Sequence, residues 1–220
     1  MVSGKITTTT ETQTDQKSIG RRTQSERTEG SRAKLIHAAT ELLGANGYSG
    51  TTLVEIGRRA GVSRGLVTFH FGTKEQVMIA VVVAIRQRIQ AVLDGDSSRG
   101  LDALDGLVDT YLLGDADVGV AIRAMYVIIT ESVTSSPGLK SAVAENNEIF
   151  REVISRSLAE AVDDNQITKP SDPKALSVVI EGVLRGVLIQ YLTDPLAVEL
   201  RTVASIVKRI IRDHLGRSIS

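Results

Sequence analysis

From Ser31 onward the apolar residues recur every three or four positions, which is the spacing of one face of an α-helix. No stretch shows the sustained alternation of apolar and polar residues that is typical of a half-buried β-strand. A first helix is predicted to begin at Ser31 and to end at Gly44 and Gly47, because glycine commonly terminates helices. The pattern therefore predicts an all-α protein.

Eight further helices follow in the pattern. Two of them are short, at about 52–60 and 63–69, and Gly61 permits a tight turn between them. A longer helix runs from about 73 to 93. The remaining five are expected at about 101–113, 117–134, 138–163, 173–192 and 196–215, separated by glycine and proline.

The segment 51–74 has the spacing of a helix-turn-helix. Leu53, Ile56 and Ala60 are predicted to face inward on its first helix, and Val67 anchors the second helix to the core. The residues left on the outward face are Ser63, Arg64, Gly65, Leu66 and Thr68. They lie at the start of a helix that is too short and too polar there to be a core element, and a recognition helix presents such residues to DNA bases. Because enzymes also contain this geometry, the pattern alone leaves DNA binding and another role equally open.

Charge is distributed unevenly along a chain whose net charge is zero. Residues 1–78 hold 11 Lys and Arg against 7 Asp and Glu, whereas residues 79–220 hold 15 against 19. A basic front end favours a polyanionic partner. Residues 1–29, with eight Thr and few aliphatic residues, are predicted to form a flexible arm. A solvated tail is the favoured interpretation, and an arm whose arginines enter a DNA groove is the alternative.

The sequence disfavours several functional classes. Without cysteine there is no disulfide framework, thiolate metal site or cysteine nucleophile. The longest apolar run, at 77–85, is shorter than the roughly 20 residues of a membrane span. No secretory signal follows Met1, so we expect a cytoplasmic protein that does not bind membranes. The acidic face of Asp102, Asp105 and Asp109 is interpreted as solvated rather than metal-binding, and no enzyme activity, cofactor or metal is predicted.

A resemblance to the tetracycline-repressor (TetR) family of bacterial transcription regulators is carried by residues 35–77, with GVSRGLVTFHFGTKEQV at their centre. The order of Gly-Val-Ser, an aromatic-His-Phe triplet and Lys-Glu is the specific part, and the rest of the chain is similar in helix number and layout. The resemblance implies a three-helix DNA-binding domain followed by a helical domain that binds a ligand and dimerises. It assigns base contacts to Arg64, Gly65 and Leu66, beside the outward Ser63, and phosphate contacts to Thr52, Thr68, Phe69, His70 and Lys74.

The side chains at these positions suit the implied contacts. A guanidinium such as that of Arg64 can bond to both O6 and N7 of guanine, and Leu66 can pack on a thymine methyl group. Lys74 and the open N–H groups of the helix beginning beside it favour a phosphate. The family usually has tyrosine where this chain has Thr68, so the phenol–phosphate contact is shortened or lost. Phe69 cannot donate a hydrogen bond, and we expect it to pack against the backbone or the core.

Residues 101–163 combine apolar and aromatic residues with isolated polar ones. A ligand cavity between helices and ordinary core packing both predict that composition, and the resemblance favours the cavity. We expect a largely hydrophobic effector with one anionic or carbonyl group, because Arg123 is the main candidate for a buried charge. The candidate lining residues are Leu104, Leu107, Tyr111, Ile122, Arg123, Met125, Tyr126, Ile129, Asn147 and Phe150.

The last two helices differ from the others. The helix at 173–192 is apolar nearly all round, with Glu181 and Arg185 as its main charges, and the helix at 196–215 carries a matching stripe. A helix of this kind must be covered on two sides. A second subunit would provide the cover, and the alternative is a central helix of a monomeric bundle. The predicted dimer interface comprises Leu176, Ile180, Val183, Leu184, Val187, Tyr191, Leu200, Val203, Val207 and Ile210.

The sequence and the resemblance together predict three parts, which are the arm at 1–29, a helix-turn-helix domain at 30–78 and an effector-binding and dimerisation domain at 79–220. The predicted function is sequence-specific transcription regulation by a homodimer on a palindromic operator in double-stranded DNA. The favoured form is repression that a small molecule relieves. Two alternatives remain, an architectural dimeric DNA-binding protein without an effector and an enzyme or carrier built on the same bundle.

Overall fold

Nine α-helices and one short 3₁₀ turn build the part of the chain that the computed structural model describes, residues 24–95 and 97–216. No β-strand occurs in those residues, so the predicted all-α class is confirmed. The helices are α1 (Gln24–Gly50), α2 (Leu53–Ala60), α3 (Arg64–Phe71), α4 (Lys74–Asp94), α5 (Gly100–Leu113), α6 (Ala116–Val133), α7 (Lys140–Asp163), α8 (Pro173–Thr193) and α9 (Leu200–Gly216). The 3₁₀ turn, Pro137–Leu139, precedes α7. The predicted arm lies outside the described residues except for its last part, which begins α1.

The first helix differs from its prediction at both ends. It begins at Gln24 and not at Ser31. It continues past Gly44 and is broken at Gly47, whose φ of 69° and ψ of −173° are not helical. A Cβ at Gly44 would lie 3.4 Å from the carbonyl oxygen of Val120 in α6. Gly44 therefore allows α1 and α6 to cross closely and does not end the helix.

The first core holds the helix-turn-helix region together and extends beyond it. Side chains of α1, α2, α3 and α4 meet there with side chains from α6 and α7. Its largest fully buried side chains are Leu35, Leu43, Ile56, Val67, Met78, Ile128 and Leu139. Because Ile128 and Leu139 belong to this core, burial of apolar surface joins the predicted DNA-binding segment to the helices that follow it.

The second core lies among α5, α7, α8 and α9, with part of α6. Its largest fully buried side chains are Leu104, Leu107, Ile154, Leu158 and Leu184. The helices of this half therefore pack mainly on one another.

Ion pairs join α5 to α9 beside the second core. Nζ of Lys208 donates to both carboxylate oxygens of Asp109, at 2.8 and 2.9 Å. Arg212 donates to Asp105 at 2.8 Å and to Asp102 at 2.9 Å. The acidic face of α5 is therefore paired with basic residues of α9. The sequence had instead predicted that only solvent covers this face of α5. Within the described ranges, no group of three or more His, Asp and Glu side chains could hold a metal ion.

Two helices, α4 and α8, are long and apolar enough to cross a membrane by length and composition, and the bent pair of α6 and α7 passes the same test. In α4 the apolar residues Val77, Val81 and Ile85 are buried in the first core. The helix α8 is buried along one side, and its other side presents apolar residues to solvent. The sequence predicted no membrane binding because its longest uninterrupted apolar run is short. That absence stays a prediction.

Candidate functional site

The helices α2 and α3 form a helix-turn-helix. Gly61 between them has a φ of 73°, in the left-handed region that favours glycine. Gly57 lets the turn pack against α2, because a Cβ there would lie 2.9 Å from the carbonyl oxygen of Val62. Ile56 and Val67 are fully buried and anchor the two helices in the first core. The other side of α3 lies at the surface.

The outward face of α3 consists of the residues that the sequence indicated. Ser63, Arg64, Gly65 and Thr68 are exposed, and Leu66 is half-buried. Oγ of Ser63 accepts a hydrogen bond from the Leu66 N–H at 3.3 Å, so it caps α3 and keeps its own proton free. Arg64 makes no hydrogen bond or ion pair with any described residue. The guanidinium group and the open backbone at Gly65 are therefore available to a partner.

Phe69 also lies on this outward face, since it is 77% exposed. The predicted contact of Phe69 with the core is therefore wrong. The alternative contact, with the backbone of bound DNA, stays a prediction. His70 is half-buried between two aromatic rings, with centroids 5.5 Å from that of Phe69 and 6.1 Å from that of Phe71. Its predicted phosphate contact stays a prediction.

The first turns of α2 and α4 carry two predicted phosphate contacts. Thr52 is exposed, and its hydroxyl oxygen accepts from the Glu55 N–H at 3.2 Å, which leaves the hydroxyl proton free. Nζ of Lys74 donates to the carbonyl oxygen of Tyr48 at 2.6 Å and lies 3.8 Å from the centroid of the Tyr48 ring. Partial burial lowers the pKa of Lys74, and the negative charge of Glu131 opposes that shift. Tyr48 therefore holds the ammonium group in place while further N–H donors of the group remain for an anion.

A small cavity of about 50 Å³ lies between α4, α5, α6, α7 and α8. The helix α4 forms one wall with Ile85, Ile89 and Leu93. The other lining residues are Arg86, Gln90, Tyr111, Ile122, Met125, Asn146, Ile149, Phe150, Val153 and Arg185. Pockets for drug-sized molecules usually measure about 300–1,000 Å³, so this cavity holds a few waters and must widen to take a larger molecule.

Two tyrosine hydroxyls lie beside the cavity. The hydroxyl of Tyr126 donates to the backbone carbonyl oxygen of Arg185 at 3.0 Å. Its single proton is thereby used, so the hydroxyl of Tyr111 is the donor in the 3.3 Å hydrogen bond between the two tyrosines. Burial raises the pKa of both phenols, which keeps them neutral.

A buried ion cluster lies at the polar end of the cavity. Glu181 is only 2% exposed, and its Oε2 accepts from Nε of Arg151 at 2.7 Å. Nη2 of Arg185 lies 2.7 Å from Oε1 of Glu181 and donates to Oδ1 of Asn147 at 2.7 Å. Nε of Arg185 is buried and has no hydrogen-bond partner within the described part of the chain. Arg185 and Arg86 are therefore the two cations that line the cavity, whereas Arg123 is exposed on a surface cleft.

Known proteins are similar to the chain over most of its length. A family model described as "Bacterial regulatory proteins, tetR family" matches residues 35–81. The transcriptional regulator SrpR of Pseudomonas putida is 26% identical over 78% of this chain and 79% of its own. The transcriptional repressor AcnR of Corynebacterium glutamicum is 23% identical over 83% of this chain and 93% of its own. The chain belongs to the TetR family.

Solved structures have the same fold as this TetR-family protein. A putative TetR-family transcriptional regulator from Rhodococcus sp. is 18% identical, with a TM-score of 0.77, and the match covers 86% of this chain and 100% of that one. The SmeT–triclosan complex is 21% identical, with a TM-score of 0.69, and the match covers 82% of this chain and 89% of that one. The described fold is therefore that of TetR-type helix-turn-helix regulators.

Half of the predicted ligand contacts of this TetR-family protein lie at or beside the cavity. Tyr111, Ile122, Met125 and Phe150 line it, and the Tyr111 and Phe150 rings contact each other with centroids 5.4 Å apart. Tyr126 lies behind Tyr111 and holds it through the hydroxyl hydrogen bond. Helical spacing along α5, α6 and α7 was therefore sufficient to predict that these aromatic and apolar residues lie close together.

The remaining predicted residues do not line the cavity. Leu104 and Leu107 are fully buried in the second core, and Ile129 packs against the first core. Asn147 accepts a hydrogen bond from Arg185 beside the cavity, and the residue that lines the cavity is Asn146. Arg123 is exposed and lines a separate surface cleft of about 530 Å³, together with Tyr111 and Ile122. Helical spacing identifies inward faces, but it does not show which inward face meets an empty space.

The predicted dimer interface of this TetR-family protein requires a correction. Ile180, Leu184 and Val207 are buried within the second core, so they cannot contact a partner. Five others are half-buried against the same core, and their contact with a partner stays a prediction, namely Leu176, Val187, Tyr191, Leu200 and Val203. The exposed apolar residues of α8 and α9, which we call the α8–α9 stripe, are Val178, Val179, Val183, Ile189, Ile206 and Ile210. Only Val183 and Ile210 belong to both sets.

Sequence reasoning missed three contributors to the sites of this TetR-family protein. Thr73 caps α4 by accepting from the Gln76 N–H at 3.2 Å, and a threonine three residues before a glutamine was a detectable capping signal. Tyr48 holds Lys74, 26 residues away, and Arg185 donates to Asn147, 38 residues away. Apolar spacing contains no signal for such contacts.

Proposed function

We propose that this TetR-family regulator represses transcription as a homodimer on a palindromic operator, and that a small lipophilic molecule in the cavity releases it from DNA. The position of α4 is the observation that carries the proposal. This helix carries Lys74 in its first turn, directly after α3, and Ile85, Ile89 and Leu93 of the same helix form a wall of the cavity. A molecule larger than the cavity must displace some of its walls, and a displacement of α4 would be transmitted along the helix to its first turn.

The outward face of α3 supports base reading. The unpaired guanidinium of Arg64 is free to bond to a guanine edge in the major groove, and the open backbone at Gly65 permits a close approach. The free hydroxyl protons of Thr52 and Ser63 and the ammonium group of Lys74 suit phosphate oxygens.

The cavity supports regulation because it is small in this structure. A ligand changes DNA affinity only when it prefers one of two shapes of the protein. A drug-sized molecule needs a wider cavity, so its bound shape differs from the present one. The 3₁₀ turn before α7 also packs closely against the first turn of α4, since a Cβ at Gly138 would lie 2.9 Å from Oε2 of Glu75. Movement of α7, which lines the cavity with Phe150, therefore reaches the first turn of α4.

The α8–α9 stripe supports a dimer. Six exposed aliphatic side chains on two adjacent helices form an apolar surface that a second copy of the chain would cover. Gly182 and Gly186 lie on α8, and nothing is within 4 Å of their Cβ positions, so a partner helix can approach closely. A two-fold dimer presents two α3 helices to DNA, which requires an operator with inverted half-sites.

Similar proteins support the regulatory part of the proposal. AcnR is named a transcriptional repressor, and SmeT has been solved in complex with triclosan. A regulator that acts on chromosomal DNA in a bacterium works in the cytoplasm, which supports the predicted location.

Two linked measurements test the proposed function. Selection from random DNA with the purified full-length chain is expected to yield an inverted repeat whose half-sites lie about one helical turn, or a multiple of it, apart. Lipophilic compounds that raise the melting temperature are then titrated into the protein–operator complex, and fluorescence anisotropy is expected to show release. Compounds that bind without changing operator affinity would instead support the architectural alternative.

A further inference from the structure

Arg185 lines the cavity and belongs to a buried cluster with an excess of positive charge, and we infer that the effector carries an acidic group that this guanidinium binds. The inference rests on the proposed function, because it names the chemical class of the molecule that enters the cavity. The class is a lipophilic organic acid with a single negative charge, such as a carboxylate.

The charge balance of the buried cluster is the first argument. Arg151 and Arg185 both contact Glu181, and no other carboxylate of the described residues contacts either guanidinium group. Two positive charges therefore face one negative charge. The side chain of Arg185 is 20% exposed and that of Glu181 is 3% exposed, so water compensates the excess charge poorly. An anion that reaches Arg185 would neutralise it.

The free donor is the second argument. Nη2 of Arg185 donates to Asn147 and lies 2.7 Å from Oε1 of Glu181, with which it forms an ion pair but no hydrogen bond. Within the described residues, Nε of Arg185 is buried and has no hydrogen-bond partner. The hydroxyl of Tyr111 lies near the same guanidinium, which opposes the rise that burial causes in the pKa of the phenol, and its proton is donated to Tyr126. A carboxylate oxygen beside Nε would complete a charge-assisted hydrogen bond, which is among the stronger polar contacts in proteins.

The remaining cations near the cavity do not offer such a site. Arg86 also lines the cavity, but it forms a one-to-one ion pair with Glu145, to which its Nη1 donates at 2.9 Å, so no excess positive charge remains there. Arg123 lines the surface cleft and not the cavity. The other walls are mostly aliphatic and aromatic, as at Ile89 and Phe150. One acidic group on an apolar body therefore matches the lining.

The test compares acids with neutral alcohols of the same shape. The three pairs are decanoate with 1-decanol, 4-phenylbutyrate with 4-phenyl-1-butanol, and 2-naphthoate with 2-naphthalenemethanol, each titrated calorimetrically into the full-length protein at neutral pH. We expect at least one acid to bind about tenfold or more tightly than its alcohol. Arg185→Gln should remove that preference and leave the affinity of the alcohol nearly unchanged. Arg123→Gln is the matched control, which should keep the preference.

The outcomes separate the inference from the proposed function. The inference is overturned if no acid binds more tightly than its alcohol, or if the preference survives in Arg185→Gln. Operator release by the alcohols would then leave the proposed function standing. Acids that bind through Arg185 without releasing operator would support the acid site and contradict the effector role. Arg185→Gln keeps the paired Arg151 and Glu181, so we expect it to fold, and the comparison on the unaltered protein can overturn the inference without it.

Discussion

Replacing Glu181 with glutamine should destabilise the protein far more than replacing an arginine that contacts it. Glu181 is 2% exposed and lies 2.7 Å from Nε of Arg151 and 2.7 Å from Nη2 of Arg185. Glu181→Gln keeps the shape of the side chain and removes its charge, so two guanidinium groups remain without a carboxylate. Arg185→Gln instead leaves one guanidinium paired with one carboxylate.

The expected magnitudes follow from burial. Removing one partner of a fully buried ion pair costs about 3–5 kcal/mol. The side chains of Arg151 and Arg185 are 32% and 20% exposed, so solvent screens part of the repulsion. We therefore expect Glu181→Gln to lower the free energy of unfolding by about 2–3 kcal/mol. For Arg185→Gln we expect about 1 kcal/mol or less, because the remaining pair is neutral and hydrogen-bonded.

Urea unfolding followed by far-ultraviolet circular dichroism measures both free energies. The protein concentration is held constant, since a dimer gains apparent stability as concentration rises. Equal losses in the two variants, or a larger loss in Arg185→Gln, would refute the charge excess on which the acid site depends.

Three further predictions concern DNA, assembly and the turn. Arg64→Ala should cost about 1–3 kcal/mol on the selected operator and relax one base position, whereas Lys74→Ala should weaken all sequences alike and flatten the salt dependence measured by anisotropy. Equal weakening of random DNA by Arg64→Ala would exclude its base contact. Val179→Glu in the α8–α9 stripe should dissociate the dimer, as measured by sedimentation at micromolar concentration. Val133→Glu, which changes an exposed valine outside the stripe, is the control and should leave the dimer intact. A dimer that survives Val179→Glu has its interface elsewhere. Gly57→Ala places a Cβ 2.9 Å from a backbone oxygen, so melting temperature and DNA affinity should fall together, and unchanged values would show that the turn relaxes.

Local interactions made the helix-turn-helix predictable from the sequence. Thr52 and Ser63 cap their helices through N–H groups three residues ahead, and Gly61 takes the left-handed conformation that its turn requires. These features depend only on neighbours along the chain. The outward positions of Gly65 and Thr68 followed from the same short-range spacing, because residues one or two positions away from the buried Val67 turn to other sides of the helix.

The same local rules were wrong for glycine in α1. Gly44 was predicted to end the helix, yet the helix continues and the glycine makes room for Val120 of α6. A missing Cβ is compatible with a helix end and with a close crossing, and only the position of the second helix decides between them.

Tertiary structure alone decided which sides of α8 face inward and where the charge of the cavity lies. A helix that is apolar on nearly all sides has no periodicity to distinguish its buried side from its exposed side, so Ile180 was assigned to the partner although it belongs to the second core. Arg123 and Arg185 both interrupt apolar runs and look equivalent in sequence. Their environments differ because α7 brings Arg151 and Asn147 to α8, and contacts between segments about 30 residues or more apart are set by packing and not by local pattern.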